Sequence, residues 1–387
     1  MLESAKYFEQ KNGFKVWTNA TDEWLQEQEK KLGINRTETK NVVHHNKKTR
    51  IALIVDVKNW ALDNIAKNIE KNLKEKYEFR IIYMSDIQDQ NIVQLFHACK
   101  GFDIVHFLWR GFIYFLDGDF TNQYLSYYGN GKEDFYNEVI NKLTITCSVY
   151  DNRFINDDDI DITKNIQKLV NYYTVSSKKL FDLYSNLGLK KPTMEITDGV
   201  DTKLFIPHDL DRFNNVQDRT LVVGWVGNSN YFGDQDHKGI NTIIKPAINE
   251  LIKEGYDIQL KIVDKENNYM SHDEMPNFYN SLDLYVCASV NEGTPNPVLE
   301  AMACGVPVVS TDVGIVNEVF GNKQKHYILQ NRSKECLKSK IREIINNNVV
   351  LKTLSDENLE SIKGWTWENK TKQFDEFFQY VLSSVKE

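Results

Sequence analysis

The sequence is poor in cysteine. Its 387 residues include five cysteines, an odd number scattered along the chain without a C-x-x-C pair. Paired cysteines at that spacing are typical of zinc sites and dithiol redox sites, so we expect neither. Scattered cysteines inside apolar runs are typical of buried free thiols in a reducing compartment. The five are Cys99, Cys147, Cys287, Cys304 and Cys336.

Long apolar runs are also absent. A membrane-spanning helix needs about 20 consecutive apolar residues, and charged and polar side chains interrupt the most apolar neighbourhood, residues 102–120. Residues 1–20 mix acidic and basic side chains with apolar ones, unlike a secretory signal. We therefore expect a cytoplasmic protein, and peripheral contact with the inner face of the membrane remains open. The interrupting residues are Asp103, His106, Arg110, Asp117 and Asp119.

An excess of positive charge is missing as well. The 47 basic residues are outnumbered by 55 acidic ones, which gives a net charge of −8. Proteins that bind nucleic acid through its phosphates usually have a basic excess, so nucleic acid is not an expected partner. With 41% apolar residues the chain can build proper cores, and its length predicts two or three domains.

The sequence does contain a repeated alternation of short apolar runs and helical segments. A run such as Ile51–Val55 is continuously apolar, as in a buried parallel strand. The segment after it stacks Ile65, Ile69 and Leu73 at fourfold spacing, as in a helix. This alternation predicts parallel sheets covered on both faces. The predicted strands are 51–55, 79–84, 103–107, 143–149, 172–175 and 193–196, and then 221–226, 258–263, 284–287, 306–310 and 327–329.

The two sets of strands predict an α/β protein with two doubly wound domains. Ligands of such sheets bind outside the carboxyl ends of the strands, so we expect a cleft between the domains. The turn-rich segment 198–218 is interpreted as the linker. The expected divisions are a polar extension at 1–47, a first domain at 48–212, a second at 213–360, and a C-terminal segment at 361–387 with a helix at 367–384.

The most informative segment is EGTPNPVLEAMACGVPVV, which starts at Glu292, follows a strand and opens a helix. Asn296 is a suitable N-cap, and Pro297 suits the first helical turn, where its missing N–H costs nothing. The amino end of this helix would offer free N–H groups and a positive dipole end to a diphosphate. Glu292 and Glu300 suit a ligand that also carries sugars, because each carboxylate can accept hydrogen bonds from a vicinal diol.

This segment resembles the donor-site signature of the family-4 glycosyltransferases of the GT-B fold, whose two glutamates are separated by seven residues. Other stretches match the family in the same order. The similarity covers residues 50–385 and is densest from 220 to 320. The further matching stretches are Val175–Lys178, Asp198–Asp201 with Phe205, Gly224–Gly227 with Lys238–Gly239, and Met275–Tyr279 with Asp283.

The resemblance implies two Rossmann-like domains, with the C-terminal helix returning to the N-terminal domain. It also implies roles at the donor site. Glu300 would hold the nucleotide ribose, Glu292 the donor sugar, and Lys238 would neutralise the diphosphate. The implied donor-binding residues are Gly227, Asn228, Lys238, Val263, Glu292, Gly293, Thr294, Asn296, Val298 and Glu300.

Three positions depart from the family pattern. Asn228 stands where the family usually has an arginine, so the second positive charge for the phosphates is missing or supplied elsewhere. Pro295 removes a backbone N–H that the family often has. Tyr150 and Asp151 follow a strand after which the family often has a His-Asp pair. We interpret Asp151 either as a sugar contact or as a strand-end cap.

Further candidates lie in the N-terminal half, where the acceptor would bind. His106, at the end of a predicted strand, would face the expected cleft, although a lone histidine is more often structural. The candidate catalytic residues are His106, Asp151, Lys238 and Glu292, and the candidate acceptor-binding residues are Trp60, Trp109, Arg110 and Tyr150.

No metal and no cofactor is expected. The Asp-x-Asp strings at 117–119 and 157–159 are typical of metal-dependent sugar transferases of another fold, but both resemble solvated turns. A metal would be redundant if a helix end and Lys238 already met the diphosphate. The nucleotide sugar, UDP- or GDP-linked, is a co-substrate.

The sequence therefore predicts a glycosyltransferase that moves a hexose from a nucleotide sugar to a hydroxyl of a glycan, lipid-linked or protein acceptor. The resemblance implies retention of the anomeric configuration. Two alternatives remain open at this point. One is a sugar-nucleotide epimerase of the same fold, and the other is a non-catalytic subunit that binds sugar nucleotides.

Overall fold

The computed structural model of the protein describes residues 48–384 apart from short gaps, and a few positions before them. The gaps are 88–90, 118, 129–130, 157, 215–218, 231–234 and 348, and the earlier positions are 6, 7, 9–11, 13 and 27. The predicted extension at 1–47 therefore lies almost wholly outside the described residues. The Asp-x-Asp strings lie partly outside them.

The strands form two sheets. The first has the order β2-β1-β3-β4-β5-β6 and the second β11-β10-β9-β7-β8. Pairing is parallel between β1 and β2, β1 and β3, β7 and β8, and β9 and β10. The strands are β1 (Thr49–Val55), β2 (Tyr77–Tyr83), β3 (Ile104–Phe107), β4 (Ile145–Val149), β5 (Tyr172–Val175), β6 (Met194–Glu195), β7 (Leu221–Gly227), β8 (Ile258–Asp264), β9 (Leu284–Cys287), β10 (Val308–Thr311) and β11 (Ile328–Leu329).

Helices follow most of the strands, which confirms the predicted α/β class. The last helix has the bounds predicted from the sequence. The helices are α1 (Ala61–Leu73), α2 (Ile92–Ala98), α3 (Gly111–Tyr114), α4 (Asp119–Tyr128), α5 (Lys132–Glu138), α6 (Ile160–Leu169), α7 (Lys178–Ser185), α8 (Lys245–Lys253), α9 (Met275–Asn280), α10 (Asn296–Ala303), α11 (Val316–Val319), α12 (Lys334–Ile345), α13 (Val350–Ser361) and α14 (Trp367–Ser384). A π-helical turn, Ile240–Ile244, leads into α8.

Side-chain caps fix the start of several helices. The Ser177 hydroxyl accepts from the Leu180 N–H at the start of α7, and the Asn91 side chain accepts from the Gln94 N–H at the start of α2. Such caps satisfy N–H groups that have no partner inside the helix and are worth about 1 kcal/mol each.

The described chain divides into two compact units. Unit 1 comprises Met1–Cys147, Ile160–Tyr172 and Ser384–Glu387, and unit 2 comprises Ser148–Asp159 and Tyr173–Ser383. The domain boundaries that the sequence suggested, and the packing of the last helix on the N-terminal domain, stay predictions. Among the described residues, no helix combines the length and the apolar character needed to cross a membrane.

The core of unit 2 lies on both faces of the second sheet. Tyr285 and Cys287 of β9 belong to a cluster with residues of α9 and α10. Leu284 and Val286 of the same strand belong to a cluster with residues of α8, α12 and α13. Successive side chains of a strand point to opposite faces, so a strand covered on both sides must be apolar throughout. This places the end of β9, and the loop that follows it, on a rigid support.

A charged pair ties the start of β9 to the start of β7 and to a residue just before that strand. The buried Asp283 carboxylate accepts two hydrogen bonds from the Arg219 guanidinium, at 2.7 and 2.6 Å, and one from the Val222 N–H at 2.8 Å. Three donors of this kind compensate the cost of burying the carboxylate.

We expect Asp283→Ala to lower the free energy of unfolding by about 3 kcal/mol, because it leaves the Arg219 charge and the Val222 N–H without their acceptor. The matched control is Asp356→Ala, which breaks an exposed ion pair with Lys352 in α13 and should cost less than about 1 kcal/mol. Urea denaturation of both variants measures the difference, and equal losses would contradict the role given to Asp283.

Candidate functional site

The loop before α10 packs closely against the ends of β4 and β5. A Cβ atom on Gly293 would lie 2.3 Å from Ser176 Oγ and 2.4 Å from the Tyr150 carbonyl oxygen. The Thr294 hydroxyl accepts from the Asp198 N–H at 3.2 Å and donates to the Ser176 carbonyl at 3.4 Å. Only glycine fits at 293, and the loop is held in place on this side. All of these residues belong to unit 2.

Helix α10 starts one residue earlier than a cap at Asn296 requires. Pro295 is the N-cap, and its carbonyl accepts from the Val298 N–H at 2.8 Å. Asn296 is the first helical residue, its N–H donates to the Thr294 carbonyl, and no side chain caps the helix. The predicted N-cap was therefore wrong by one position. The reason is that the Asn296 side chain is drawn towards the Asp198 carboxyl.

Glu292 and Lys238 form an ion pair. Lys238 Nζ lies 2.5 Å from Glu292 Oε1, and the two side chains are 21% and 17% exposed. The structure thus brings together two candidates that are 54 residues apart in sequence. A partly exposed, charge-assisted contact of this kind can exchange partners with an incoming anion.

The turn that carries Lys238 is fixed by Asp236. This buried carboxylate accepts from the backbone N–H groups of Asn241 and Thr242, at 3.0 and 2.6 Å, and from the Thr242 hydroxyl at 2.7 Å. It satisfies the N–H groups at the start of the π-helical turn and places a negative charge at its positive end.

Arg332 holds the same turn from the other side. Its Nε donates to the Ala288 carbonyl at 2.8 Å and its Nη2 to the Asp236 carbonyl at 2.7 Å. Gly239 has a φ of 73°, and a Cβ there would lie 2.6 Å from the Ala288 carbonyl oxygen. The position of Lys238 is therefore set by the end of β9 as well as by its own turn.

Glu300 lies one turn into α10 and is 13% exposed. The hydroxyl of Tyr279, a buried residue of α9, donates to Glu300 Oε2 at 2.7 Å. His272 Nε2 lies 3.5 Å from the other oxygen, Oε1. The interaction with Glu300 raises the pKa of His272 above its ordinary value, against the effect of burial.

The two acids share a neighbour in Tyr285 of β9. Burial raises the pKa of this tyrosine well above its ordinary value, and electrostatic interactions with Cys287, Glu292 and Glu300 raise it further. Both carboxylates therefore act on the same ring. Glu292 and Glu300 belong to one neighbourhood at the end of β9.

The remaining predicted donor residues have mainly structural contacts. The side chains of Val263 and Val298 are buried in the core of unit 2, which leaves only their backbone for a ligand. A Cβ on Gly227 would lie 2.6 Å from the Trp225 ring, so packing already requires glycine there. The Asn228 side chain accepts from the Asn230 N–H at 2.8 Å and closes a turn.

Tyr150 and Asp151 lie at the end of β4, beside the Gly293 loop. The Asp151 carboxylate accepts from the Arg153 N–H at 3.0 Å, as a turn-stabilising aspartate does. The sugar contact proposed for Asp151 stays a prediction, as does the acceptor contact proposed for Tyr150.

The other N-terminal candidates belong to unit 1. His106 is fully buried, its Nδ1 lies 2.9 Å from the Thr146 hydroxyl, and burial lowers its pKa to about 3. Arg110 is buried, Trp109 is half-buried and Trp60 is exposed. Their catalytic and acceptor-binding roles stay predictions.

A pocket of about 100 Å³ opens beside Glu292. Its walls come from the loop after β9, the start of α7 and the loop after β10, and they combine apolar and charged side chains. The lining residues are Asn152, Lys179, Leu180, Leu183, Val290, Asn291, Glu292, Asp312, Val313 and Gly314.

Sequence reasoning missed the residues that hold the two acids and the lysine. Tyr279 lay inside a matching stretch, Met275–Tyr279, and its place next to an acid-bearing helix was a usable signal. His272 and Arg332 gave no local signal, because each acts on a segment far from it in sequence. Asp236 acts on N–H groups five and six residues after it, so its capping pattern was a local signal that the sequence analysis did not use.

The carboxyl group of Asp198, beside the loop, has a raised pKa. It is fully buried, and burial raises its pKa to about 7, although Asn296, Tyr150 and Lys370 lower it. Its Oδ1 and the Asn296 Oδ1 have no hydrogen-bond partner among the described residues. A carboxyl in these surroundings keeps its proton to near neutral pH.

The chain matches known proteins most clearly in the region of this site. Residues 267–360 match the family model described as glycosyl transferases, group 1. The matched stretch includes Tyr279, Glu292 and Glu300.

Relatives align with parts of their length. The uncharacterized glycosyltransferase MJ1178 of Methanocaldococcus jannaschii is 34% identical over 98 residues, which are 25% of this chain and 28% of that protein. The capsular polysaccharide biosynthesis glycosyltransferase CapM of Staphylococcus aureus is 23% identical over 164 residues, 37% of this chain and 42% of that protein. The chain thus spans less than half the length of either relative.

A solved structure resembles nearly the whole chain. Anabaena HepE, solved in complex with UDP and glucose, superposes with a TM-score of 0.62 at 11% identity, covering 86% of this chain and 100% of that one. At this identity the likeness concerns the fold alone. It confirms the two Rossmann-like, parallel-sheet domains that the sequence predicted as a GT-B fold.

We expect Gly293→Ala to destabilise the protein by about 1–3 kcal/mol, because its new methyl group must displace backbone at Tyr150. The matched control is Gly364→Ala, whose Cβ meets no atom within 4 Å and should leave stability unchanged. Unfolding midpoints in urea compare the two. A Gly293→Ala midpoint equal to that of the wild type would contradict the close packing of the loop.

Asp198→Asn should stabilise the protein at alkaline pH. The folded carboxyl holds its proton up to about pH 7, whereas the unfolded one loses it near pH 4, so wild-type stability falls as pH rises through this window. Asparagine cannot ionise. We therefore expect the difference in free energy of unfolding between variant and wild type to shift by about 2–3 kcal/mol in favour of the variant as the pH rises from 5 to 8. Denaturation at both pH values measures this, with the exposed Asp182→Asn as control; a pH-independent difference would refute the protonated state.

Proposed function

We propose that the protein is a glycosyltransferase that takes its sugar from a nucleotide-sugar donor. The observation that carries this proposal is the placement of Glu292 and Glu300. They flank one glycine-containing loop and helix start, both side chains are partly exposed, and separate groups hold them. The match of residues 267–360 to the group 1 glycosyl transferases and the names of the two relatives support the proposal.

The nucleotide end of the donor would bind at Glu300. Its carboxylate already accepts from Tyr279 and retains lone pairs for the two hydroxyls of a ribose. Hydrogen bonds from hydroxyls to a charged carboxylate contribute about 1.5–3 kcal/mol.

The diphosphate would lie between Lys238 and the amino end of α10. A phosphate oxygen would replace Glu292 as the partner of Lys238, which frees the Glu292 carboxylate for hydroxyls of the donor sugar. The helix end would add its positive dipole. As the bond between sugar and phosphate breaks, negative charge grows on the leaving diphosphate. Losing one donor that stabilises such charge typically costs about 10²–10³ in rate.

We further propose a UDP- or GDP-linked hexose as the donor and a growing surface polysaccharide as the acceptor. HepE was solved with UDP and glucose, and CapM is named for capsular polysaccharide biosynthesis. The family resemblance adds retention of the anomeric configuration, with the acceptor hydroxyl attacking from the side that the diphosphate leaves. In that geometry a diphosphate oxygen takes the proton of the acceptor.

A thermal-shift screen with UDP- and GDP-sugars identifies the donor, because a ligand that binds only the folded state raises the melting temperature. With that donor, Glu300→Gln should lower kcat/KM about 10- to 100-fold, the equivalent of one charged hydrogen-bonding group. Glutamine keeps the shape of the side chain and an acceptor for Tyr279, so folding should be retained.

The matched control is Glu360→Gln, an exposed acid paired with Lys363, which should transfer sugar at the wild-type rate. Incubation of donor alone, followed by NMR of the sugar, tests for epimerisation. Unchanged transfer by Glu300→Gln, or the absence of any sugar nucleotide that raises the melting temperature, would refute the proposed function.

A further inference from the structure

Two protein groups approach the two oxygens of Glu300 separately. The Tyr279 hydroxyl donates to Oε2 at 2.7 Å, and Tyr279 is fully buried. His272 Nε2 faces Oε1 at 3.5 Å, and its side chain is 41% exposed. One contact is therefore buried, while the other lies partly in solvent.

The two contacts leave a defined number of acceptor sites open on the Glu300 carboxylate. A carboxylate has about four lone-pair sites, two on each oxygen. If Tyr279 uses one on Oε2 and His272 one on Oε1, one site remains on each oxygen. Two neighbouring oxygens with one open site each match the two hydroxyls of a vicinal diol.

We propose that His272 is a positioning residue for nucleotide binding, which orients Glu300 Oε1 so that the carboxylate meets both ribose hydroxyls. This inference rests on the proposed function, because it assumes that Glu300 binds a ribose. It adds a residue that touches the acid, at a position that no sequence motif marks.

The packing around His272 supports a fixed position for its ring. Phe205, a fully buried residue, contacts the His272 ring edge-on at 5.3 Å between centroids and the Tyr279 ring at 5.9 Å. One aromatic side chain therefore sets the places of both groups that hold Glu300. Edge-to-face contacts of this type are favourable beyond the apolar area that they bury.

The charges that face His272 favour its protonated form. Glu300 acts on it most strongly, followed by Asp273 and Asp201, and these interactions raise the pKa of His272. Below that raised pKa the imidazolium makes a charged contact with Glu300. As pH rises through it, the charge is lost, and the affinity for a nucleotide should fall in the same pH range.

The test measures binding of UDP, GDP and ADP by calorimetry and continues with the one that binds the wild type best. Its 2′-deoxy and 3′-deoxy analogues report what the ribose hydroxyls contribute. His272→Leu removes the N–H donor, whereas His272→Gln keeps an uncharged amide near the position of Nε2. His208→Leu is the matched control, because His208 is an exposed histidine.

We expect His272→Leu to bind the nucleoside diphosphate about tenfold more weakly than the wild type does. Its affinity for the deoxy analogue that the wild type binds least well should change little. The melting temperature of the variant should equal that of the wild type. His272→Gln should keep that discrimination but lose the fall in affinity with rising pH. His208→Leu should behave as the wild type in both respects.

Wild-type affinity, discrimination and pH dependence in His272→Leu would overturn the inference while leaving the proposed function intact. A wild type that binds none of the three nucleoside diphosphates would refute the proposed function itself, and the role of His272 with it. A purely structural role would lower the melting temperature and weaken the binding of ribo- and deoxynucleotides equally, which also overturns the inference.

Discussion

The close approach of Gly293 to the ends of β4 and β5 is the constraint on which the arrangement of the site depends. With a Cβ excluded by Ser176 and by the Tyr150 carbonyl, the loop has little freedom to shift. Gly314 packs on the loop from another side, where a Cβ would lie 1.9 Å from the Gly293 carbonyl oxygen. Glu292 directly precedes this fixed point, and α10 begins three residues after it. Rigid backbone thus positions both acids, which is what a precise binding site requires.

The two acids differ in how the protein holds them, and this difference suits different tasks. Glu300 has a neutral donor, Tyr279, which is fully buried and shielded from solvent. Glu292 has a partly exposed cation, Lys238, whose charge can be shared with or taken over by a phosphate. One carboxylate is therefore a fixed acceptor, and the other is part of a pair that can rearrange. A site that must bind a donor and then release a diphosphate benefits from both.

The sequence located most of the fold, because buried parallel strands are apolar on both faces and stand out as continuous runs. The strand at 284–287 and the last helix at 367–384 have the predicted bounds. Shorter strands such as β6 and β11 were located but predicted too long, since apolar residues continue into the adjoining loops. Periodicity alone cannot show where pairing ends.

The site was predicted only as far as local patterns reach. Glu292, Glu300 and Lys238 lie in recognisable stretches, and the structure brings the first and the last of them into contact. The cap predicted at Asn296 was misplaced because the Asn296 side chain interacts with the carboxyl group of Asp198, which is 98 residues away. His272 acts on Glu300 through a contact between separate segments, so neither spacing nor composition could indicate it.

Asn228 follows Gly227, where the family pattern has an arginine. Any positive charge for a diphosphate in unit 2 would therefore have to come from other residues. Arg332 supplies a positive charge near the Lys238 turn, and with Lys238 it lowers the pKa of the intervening His237, although burial is the larger cause. Its Nε and Nη2, however, donate to the carbonyls of Ala288 and Asp236. Arg332 therefore serves the turn, while Lys238 keeps a side-chain partner that an anion can replace. In the reaction we propose, stabilisation of a departing diphosphate would come chiefly from Lys238 and the amino end of α10. The exact placement of the Lys238 turn, by Asp236 and Gly239, would then matter as much as the lysine itself.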